Sequence, residues 1–319
     1  MAKRIFLFVI LIRALAAATI TNAHYTGVYP SDIIANGGLL GDVLFFSVSG
    51  FCLANTSEPF KKWYTRRFLR IYIPTWVITI FYLAIGAYTI NNWESIVFTF
   101  IWPTHWHFIA SIIILYIPLF FVSKYLVFRK KTYWITVSSL FIIQLLIYLG
   151  FYDYSYYHID TVREPMIEFI FFQSLLLGLY YRWRCETNGD INKSLKPLKI
   201  LVGVCLLIFY FVSKMLFVHY PVIAPFQIIN QVILWGLLYV IFDIFMKLES
   251  HLAKISKSII WKWIVFISDR TLEIYLVQYV IIAKCKIGFF PINWIVLTTI
   301  IIISASILHH ISQKILKSI

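Results

Sequence analysis

The feature that most restricts this chain is its succession of long apolar runs separated by short clusters of Lys and Arg. Ten runs, centred on residues 5–23, 37–55, 71–90, 106–123, 133–151, 166–181, 198–217, 227–246, 264–282 and 292–310, approach the roughly 20 residues a helix needs to cross a bilayer. Backbone N–H and C=O groups find no water in hydrocarbon, so such runs fold as helices. Composition agrees: 61% of the 319 residues are hydrophobic and 13% are charged, too few charges to cover a water-facing surface. The sequence predicts an all-α polytopic membrane protein with about ten transmembrane helices. Residues 1–319 read as a single transmembrane domain with no appended soluble domain. A soluble enzyme, a disordered chain and a collagen-like rod are excluded.

The 28 Lys and Arg against 14 Asp and Glu give a formal charge of +14. They are not gathered into a basic domain, so no nucleic-acid partner is expected. Instead 22 of them fall in alternate loops, among them Lys61, Lys62, Arg66, Arg67 and Arg70, then Arg182, Arg184, Lys196 and Lys199. Only Arg163, Lys214, Lys284 and Lys286 fall on or near the other side, with Arg13 and Arg270 inside spans. The positive-inside rule then places both termini in the cytoplasm of a multi-pass protein of the cell (inner) membrane. The first run resembles a signal peptide, but Arg13 interrupts it and nine further runs follow, so it reads as the first span. Cys52, Cys185, Cys205 and Cys285 form no C-x-x-C pair and imply neither a disulfide framework nor a zinc site.

A charged or ionisable side chain inside a span is a functional candidate by default. Arg13 and His24 lie eleven residues apart on the first span, which is three turns plus about 20°, so both occupy one face roughly 16 Å apart. That arrangement suits a long ligand with an anionic end and a reactive end. The guanidinium is a permanent planar cation matched to phosphate, and a shielded histidine can act as general base. The same residues are also consistent with an Arg paired to a span carboxylate and a His at the interface. Arg67 and Arg70, at i and i+3, share a face at the cytoplasmic start of the third span. They read either as positive-inside anchors or as a mouth for a phosphorylated donor. Asp42 sits in an apolar segment and needs a partner, for which His24 and Arg13 are the candidates. Gly37, Gly38, Gly41 and Gly50 permit close helix approach.

Other features remain open at this stage. His105 and His107 have metal-like spacing but no third ligand in the sequence, so no metal is expected. His309-His310 reads as interfacial, and Asp243 is expected to pair with a local cation. Asp269, Arg270 and Glu273 either shape a mouth or form ion pairs. The aromatic run Phe151–His158 belongs to an interfacial belt or stacks on sugar rings.

Several of these pieces carry a resemblance. Arg13-x10-His24, the run Gly41-Asp42-Val43-Leu44-Phe45-Phe46-Ser47-Val48-Ser49-Gly50-Phe51 and Arg67-x-x-Arg70 resemble the membrane acyltransferase-three family. His105-Trp106-His107-Phe108 is similar to its H-x-W-F-L segment, and Ser268–Gln278 to its late S-x-x-x-Y-L-x-H motif. The resemblance implies a polytopic O-acyltransferase of the kind that modifies bacterial surface glycans. It implies His24 as the catalytic residue and Arg13, Arg67 and Arg70 as contacts to the acyl-CoA donor; Asp42, the acid of the apolar segment, is taken as a catalytic candidate with His24. Trp106, Gln278 and His105 would lie near the substrate or the oxyanion. The family's late His falls at Gln278 here, and Gln hydrogen-bonds but exchanges no proton near pH 7.

The expected function is transfer of an acetyl or other acyl group from acetyl-CoA (acyl-CoA) to a hydroxyl of a surface polysaccharide or its lipid-linked precursor. The expected partners are that glycan acceptor and membrane lipids. The alternative is a transporter or flippase of lipid-linked glycans, which also uses intramembrane Arg and His. The chain shows no pair of Gly/Pro-broken helices in matching halves, which such carriers often carry.

Overall fold

A computed structural model describes residues 6–54, 56–102, 106–125, 130–161, 164–187, 194–285 and 288–319. Among them run thirteen α-helices and no strand. They are α1 (Leu7–Ala23), α2 (Gly38–Leu53), α3 (Phe60–Ala84), α4 (Trp93–Ile96), α5 (His107–Tyr125), α6 (Lys130–Phe151) and α7 (Pro165–Thr187). There follow α8 (Pro197–His219), α9 (Ile228–Lys247), α10 (Glu249–Ile255), α11 (Ile259–Asp269), α12 (Thr271–Lys284) and α13 (Ile292–Ser318). Helices α3, α5, α6, α8, α9 and α13 are long and apolar enough to span a membrane, and α1 and α2 are shorter apolar helices. The protein is an all-α, multi-pass membrane protein.

Each of the ten apolar runs coincides with helix, but not always with one uninterrupted span. The run at 264–282 breaks at Arg270 into α11 and α12. The cause is side-chain competition for the last carbonyls of α11. Arg270 Nη1 donates to the Phe266 carbonyl at 3.0 Å and Thr271 Oγ1 to that of Ser268 at 2.9 Å. The guanidinium lies 3.8 Å over the Phe266 ring, a cation–π contact that fixes the fold-back. The run at 166–181 grows into α7, whose ends bring in Glu168, Arg182, Arg184 and Glu186.

The helices gather into two units. The first comprises the described residues of Met1–Ile12, Val43–Thr56 and Pro118–Lys262; the second those of Arg13–Asp42, Ser57–Ile117 and Trp263–Ile319.

In the first unit, small residues and buried polar groups replace the hydrophobic drive that lipid cannot supply. A Cβ on Gly50 would land on the Leu175 carbonyl, and one on Gly178 on the Ser47 carbonyl, so α2 and α7 meet backbone to backbone. Gln144, Gln173 and Gln231, one each from α6, α7 and α9, are fully buried and joined side chain to side chain. Asp243 holds Arg184 at 3.1 Å, Lys247 at 3.2 Å and Lys199. The local cation expected for this carboxylate is thus three cations, all from the set read as cytoplasmic. Glu249 accepts from the first amides of α1, Leu7 N at 2.9 Å and Phe8 N at 2.8 Å, placing a carboxylate on the positive end of that helix.

In the second unit, α3, α12 and α13 pack together and α1 joins α12 and α13 through side-chain bonds. A Cβ on Gly41 would lie 2.5 Å from Ile20 Cγ1 and 3.0 Å from the Ala16 carbonyl, so this glycine seats the start of α2 on α1. The stretch before α5, for which hydropathy offers no structure, forms a capped turn. Asn92 Oδ1 accepts from Ser95 N at 2.8 Å and Ser95 Oγ accepts from the Asn92 amide N–H at 3.2 Å. A π-helical turn, Val97–Ile101, follows. Its terminal carbonyls are taken by rings of α3: Trp76 Nε1 donates to Phe100 O at 2.8 Å and Tyr72 OH to Ile101 O at 2.6 Å.

Candidate active site

The described residues assigned from the sequence to the catalytic centre, donor or oxyanion, Arg13, His24, Asp42, Arg67, Arg70, Trp106 and Gln278, all lie in the second unit, whereas the aromatic run Phe151–His158 lies in the first. His105 falls outside the described residues, as do Arg163 and Lys286 among the cations read as outer.

α1 is unbroken from Leu7 to Ala23, so Arg13 keeps its register to the turn that carries His24, about 16 Å along the axis at 1.5 Å per residue. Both side chains are half-buried. The turn at His24 is fastened on each side. Its amide donates to Thr21 O at 3.1 Å. Asn22 Nδ2 ties back the following loop through Ile34 O (2.7 Å) and Asn36 O (3.0 Å), and Tyr25 OH meets Thr298 Oγ1 at 2.7 Å. The imidazole itself makes no hydrogen bond among the described residues and meets the Tyr279 ring edge-on at 5.9 Å. Burial pushes its pKa below the ordinary 6.5, so the ring is neutral and keeps a lone pair at neutral pH.

Asp42 has neither of its expected partners. Its carboxyl makes no hydrogen bond or ion pair among the described residues, with His24 or Arg13 included. The position explains this: Asp42 sits one residue past the α1–α2 contact at Gly41, and its electrostatic neighbour is the Tyr275 phenol of α12. The ring of Tyr275 packs at 5.0 Å on Phe108, at the start of α5. Trp106, 3% exposed, packs edge-on against Tyr88 at 5.9 Å, and Tyr88 in turn interacts with Tyr279. Ring contacts thus join Trp106 to Tyr88 and His24 to Tyr279.

Gln278 is fully buried on α12. Its Oε1 lies 2.5 Å from Thr21 Oγ1, whose hydroxyl also reaches the Ala17 carbonyl at 2.8 Å. One hydroxyl proton serves one of these acceptors, so Thr21 holds one end of the amide either as donor or, with the amide turned over, as acceptor. The other end of the amide has no hydrogen-bond partner among the described residues. Thr21, Tyr88, Tyr275 and Tyr279 were not singled out from the sequence. Tyr275 alone carried a signal, since it stands inside the late motif at 268–278.

Arg67 and Arg70 of α3 differ. Arg67 lies 4.6 Å over the Trp63 ring, donates to Trp63 O at 3.2 Å and stands 3.9 Å from Glu58. Glu58 is engaged more closely by Arg66. Arg70 is exposed and makes no hydrogen bond or ion pair among the described residues. Two guanidiniums, of Arg66 and Arg67, therefore share the Glu58 carboxylate while that of Arg70 stands apart, leaving excess positive charge for an anion. Glu273, buried on α12, bonds His309 Nδ1 at 2.9 Å, so His309 has a partner inside the unit and is not simply interfacial. No group of three His, Cys, Asp or Glu able to hold a metal occurs among the described residues.

Against known families, the profile described as an acyltransferase domain, of the acyltransferase-3 family, matches residues 6–309. The chain belongs to the acyltransferase-3 family. The matched stretch includes all the residues above, and this acyltransferase-3 protein is accordingly a membrane acyltransferase. No curated protein and no solved structure matches the chain.

Proposed function

We propose that this acyltransferase-3 protein moves an acetyl or other acyl group from acyl-CoA to a hydroxyl of a surface polysaccharide, or of its lipid-linked precursor, in the cytoplasmic membrane. The observation that carries the reading is the imidazole of His24: neutral, unbonded and held in a fastened turn, with a guanidinium eleven positions earlier on the same helix. Donor phosphates are held by Arg70 and Arg67, and the pantetheine arm passes Arg13 so that the thioester lies beside His24. His24 takes the proton of the acceptor hydroxyl as its oxygen attacks the thioester carbonyl. The C–S bond then breaks, and the departing thiolate recovers a proton from the imidazolium. The open end of the Gln278 amide, or the Trp106 indole N–H, supplies the hydrogen bond that the tetrahedral oxyanion requires. Asp42 acts at the site through its neighbour, the Tyr275 phenol, and not through a bond to His24.

The test is acyl release or transfer from radiolabelled acetyl-CoA by the purified protein in lipid. His24→Ala is expected to abolish it while the protein remains folded. Turnover at the wild-type rate in that variant overturns the assignment.

A further inference from the structure

The first unit contains a cleft that the acyl-transfer reading does not use. Tyr152, Asp153, Tyr154 and Ser155, from the loop after α6, form one wall, and Pro221, Val222 and Pro225, from the turn before α9, form the floor. Its volume is about 420 Å³, within the range of sites for small molecules.

The cleft is built rather than incidental. Gln227, fully buried, fastens the loop behind it. Its Oε1 accepts from His158 N (2.9 Å) and Ile159 N (3.0 Å), and its Nε2 donates to Tyr156 O (2.9 Å). Tyr148 donates to Pro225 O at 2.8 Å, tying the wall to the floor. Tyr152 is stacked between Tyr148 (5.0 Å) and His158 (4.7 Å). Tyr154 leans on Tyr148 at 5.9 Å and keeps 41% of its surface exposed.

The chemistry of the lining selects a class of ligand. Ser155 holds Asp153 below the usual carboxylate range through its hydroxyl and its amide, so this group is a charged acceptor. Burial raises the Tyr152 phenol, whose hydroxyl is buried behind the wall with no hydrogen-bond partner among the described residues. Among the described residues no Lys or Arg lines the cleft, and Lys214 of the same unit is bonded to Asp160; Arg163 lies outside the described residues. A phosphate or sulfate is disfavoured by that carboxylate. An apolar peptide would leave the Asp153 carboxylate without a partner. A pyranose ring satisfies these conditions: C–H faces for the Tyr154 ring and the proline floor, and hydroxyls for the Asp153 carboxylate.

We propose that this cleft docks an uncharged sugar ring of the glycan acceptor. The inference rests on the acyl-transfer reading for the acceptor's role, and its test separates the two. The full-length protein in lipid nanodiscs is mixed with oligosaccharides released by mild acid from the surface glycan of the producing cells, divided into uncharged and acidic pools. Saturation-transfer NMR reads binding directly. Wild type, Tyr154→Phe and His24→Ala are expected to saturate ring protons of the uncharged pool. Tyr154→Ala should lose at least tenfold in affinity and Asp153→Asn several-fold. Tyr154→Ala should also raise the acceptor KM without changing acceptor-independent acyl-CoA hydrolysis. No saturation of the uncharged pool by wild type, or equal saturation by Tyr154→Ala, overturns the cleft. Acyl transfer at the wild-type rate by His24→Ala, with the Tyr154 effect intact, overturns the catalytic reading and leaves the cleft standing.

Discussion

The two units treat their buried ionisable groups differently. In the first, Asp243 is surrounded by Arg184, Lys199 and Lys247, Asp160 is bonded to Lys214, and Glu249 caps α1. In the second, the Asp42 carboxyl, the His24 imidazole and one end of the Gln278 amide have no hydrogen-bond partner among the described residues, although Glu273 and His309 form a pair. Leaving a polar group unsatisfied in an apolar setting costs free energy, and such costs collect where a site must keep its groups free for substrate. The contrast is one of carboxylates and imidazole, paired in the first unit and left free at Asp42 and His24 in the second; unpartnered hydroxyls and amides, Tyr152 of the cleft among them, occur in both.

The largest effects expected divide along this line. Replacing Asp243 by Ala strands three cations and should cost roughly 3–5 kcal/mol, seen as a large drop in the thermal midpoint. Replacing Asp42 by Asn should leave that midpoint unchanged or higher while slowing turnover. Equal destabilisation by the two would erase the distinction between the units. Next in size is His24→Ala, for which loss of a general base lowers kcat by about 10²–10⁴ with the midpoint unmoved.

The pH profile sharpens the same contrast. The active imidazole is the neutral one, and burial lowers its pKa below 6.5. Turnover should therefore fall on the acid side only as pH drops through a value under 6.5, and not above it. An acid limb centred above 6.5 would mean that His24 sits beside a carboxylate in the working enzyme.

Smaller effects follow on either side of the thioester. Arg67→Ala with Arg70→Ala removes charge-assisted bonds of about 1.5–3 kcal/mol each. The donor KM should rise for acyl-CoA and not for a pantetheine thioester lacking the nucleotide phosphates. Thr21→Val frees the held end of Gln278 and should lower kcat by about tenfold, the worth of one hydrogen bond, with KM for the donor unchanged. A rise in KM alone would place Gln278 in binding rather than in stabilising the oxyanion.

How far all this was legible in the sequence depends on the range of the forces involved. Hydropathy is local, so each apolar run found its helix, and the Arg13–His24 register was readable because α1 is regular. The break at Arg270 was not readable, because it arises from side chains that bend back onto carbonyls of the preceding turn. The turn at Val97–Ile101 likewise depends on Tyr72 and Trp76 from another helix. The Thr21–Gln278 contact joins positions 257 residues apart, and no spacing rule reaches that far. Asp42 stood out as a buried acid, but its missing partner is a fact of packing: Gly41 sets α2 against α1 while the carboxyl stays in the field of Tyr275.

The account centres on a donor stretched between Arg13 and His24. The most direct measurement compares CoA affinity and single-turnover acyl transfer in Arg13→Gln and His24→Ala, each in lipid and each checked for folding. Arg13→Gln should weaken CoA binding and leave the rate at saturating donor close to wild type; His24→Ala should bind CoA normally and transfer nothing. If both variants lose binding and rate together, or if His24→Ala still transfers, the two residues do not bracket the donor and the central claim is wrong.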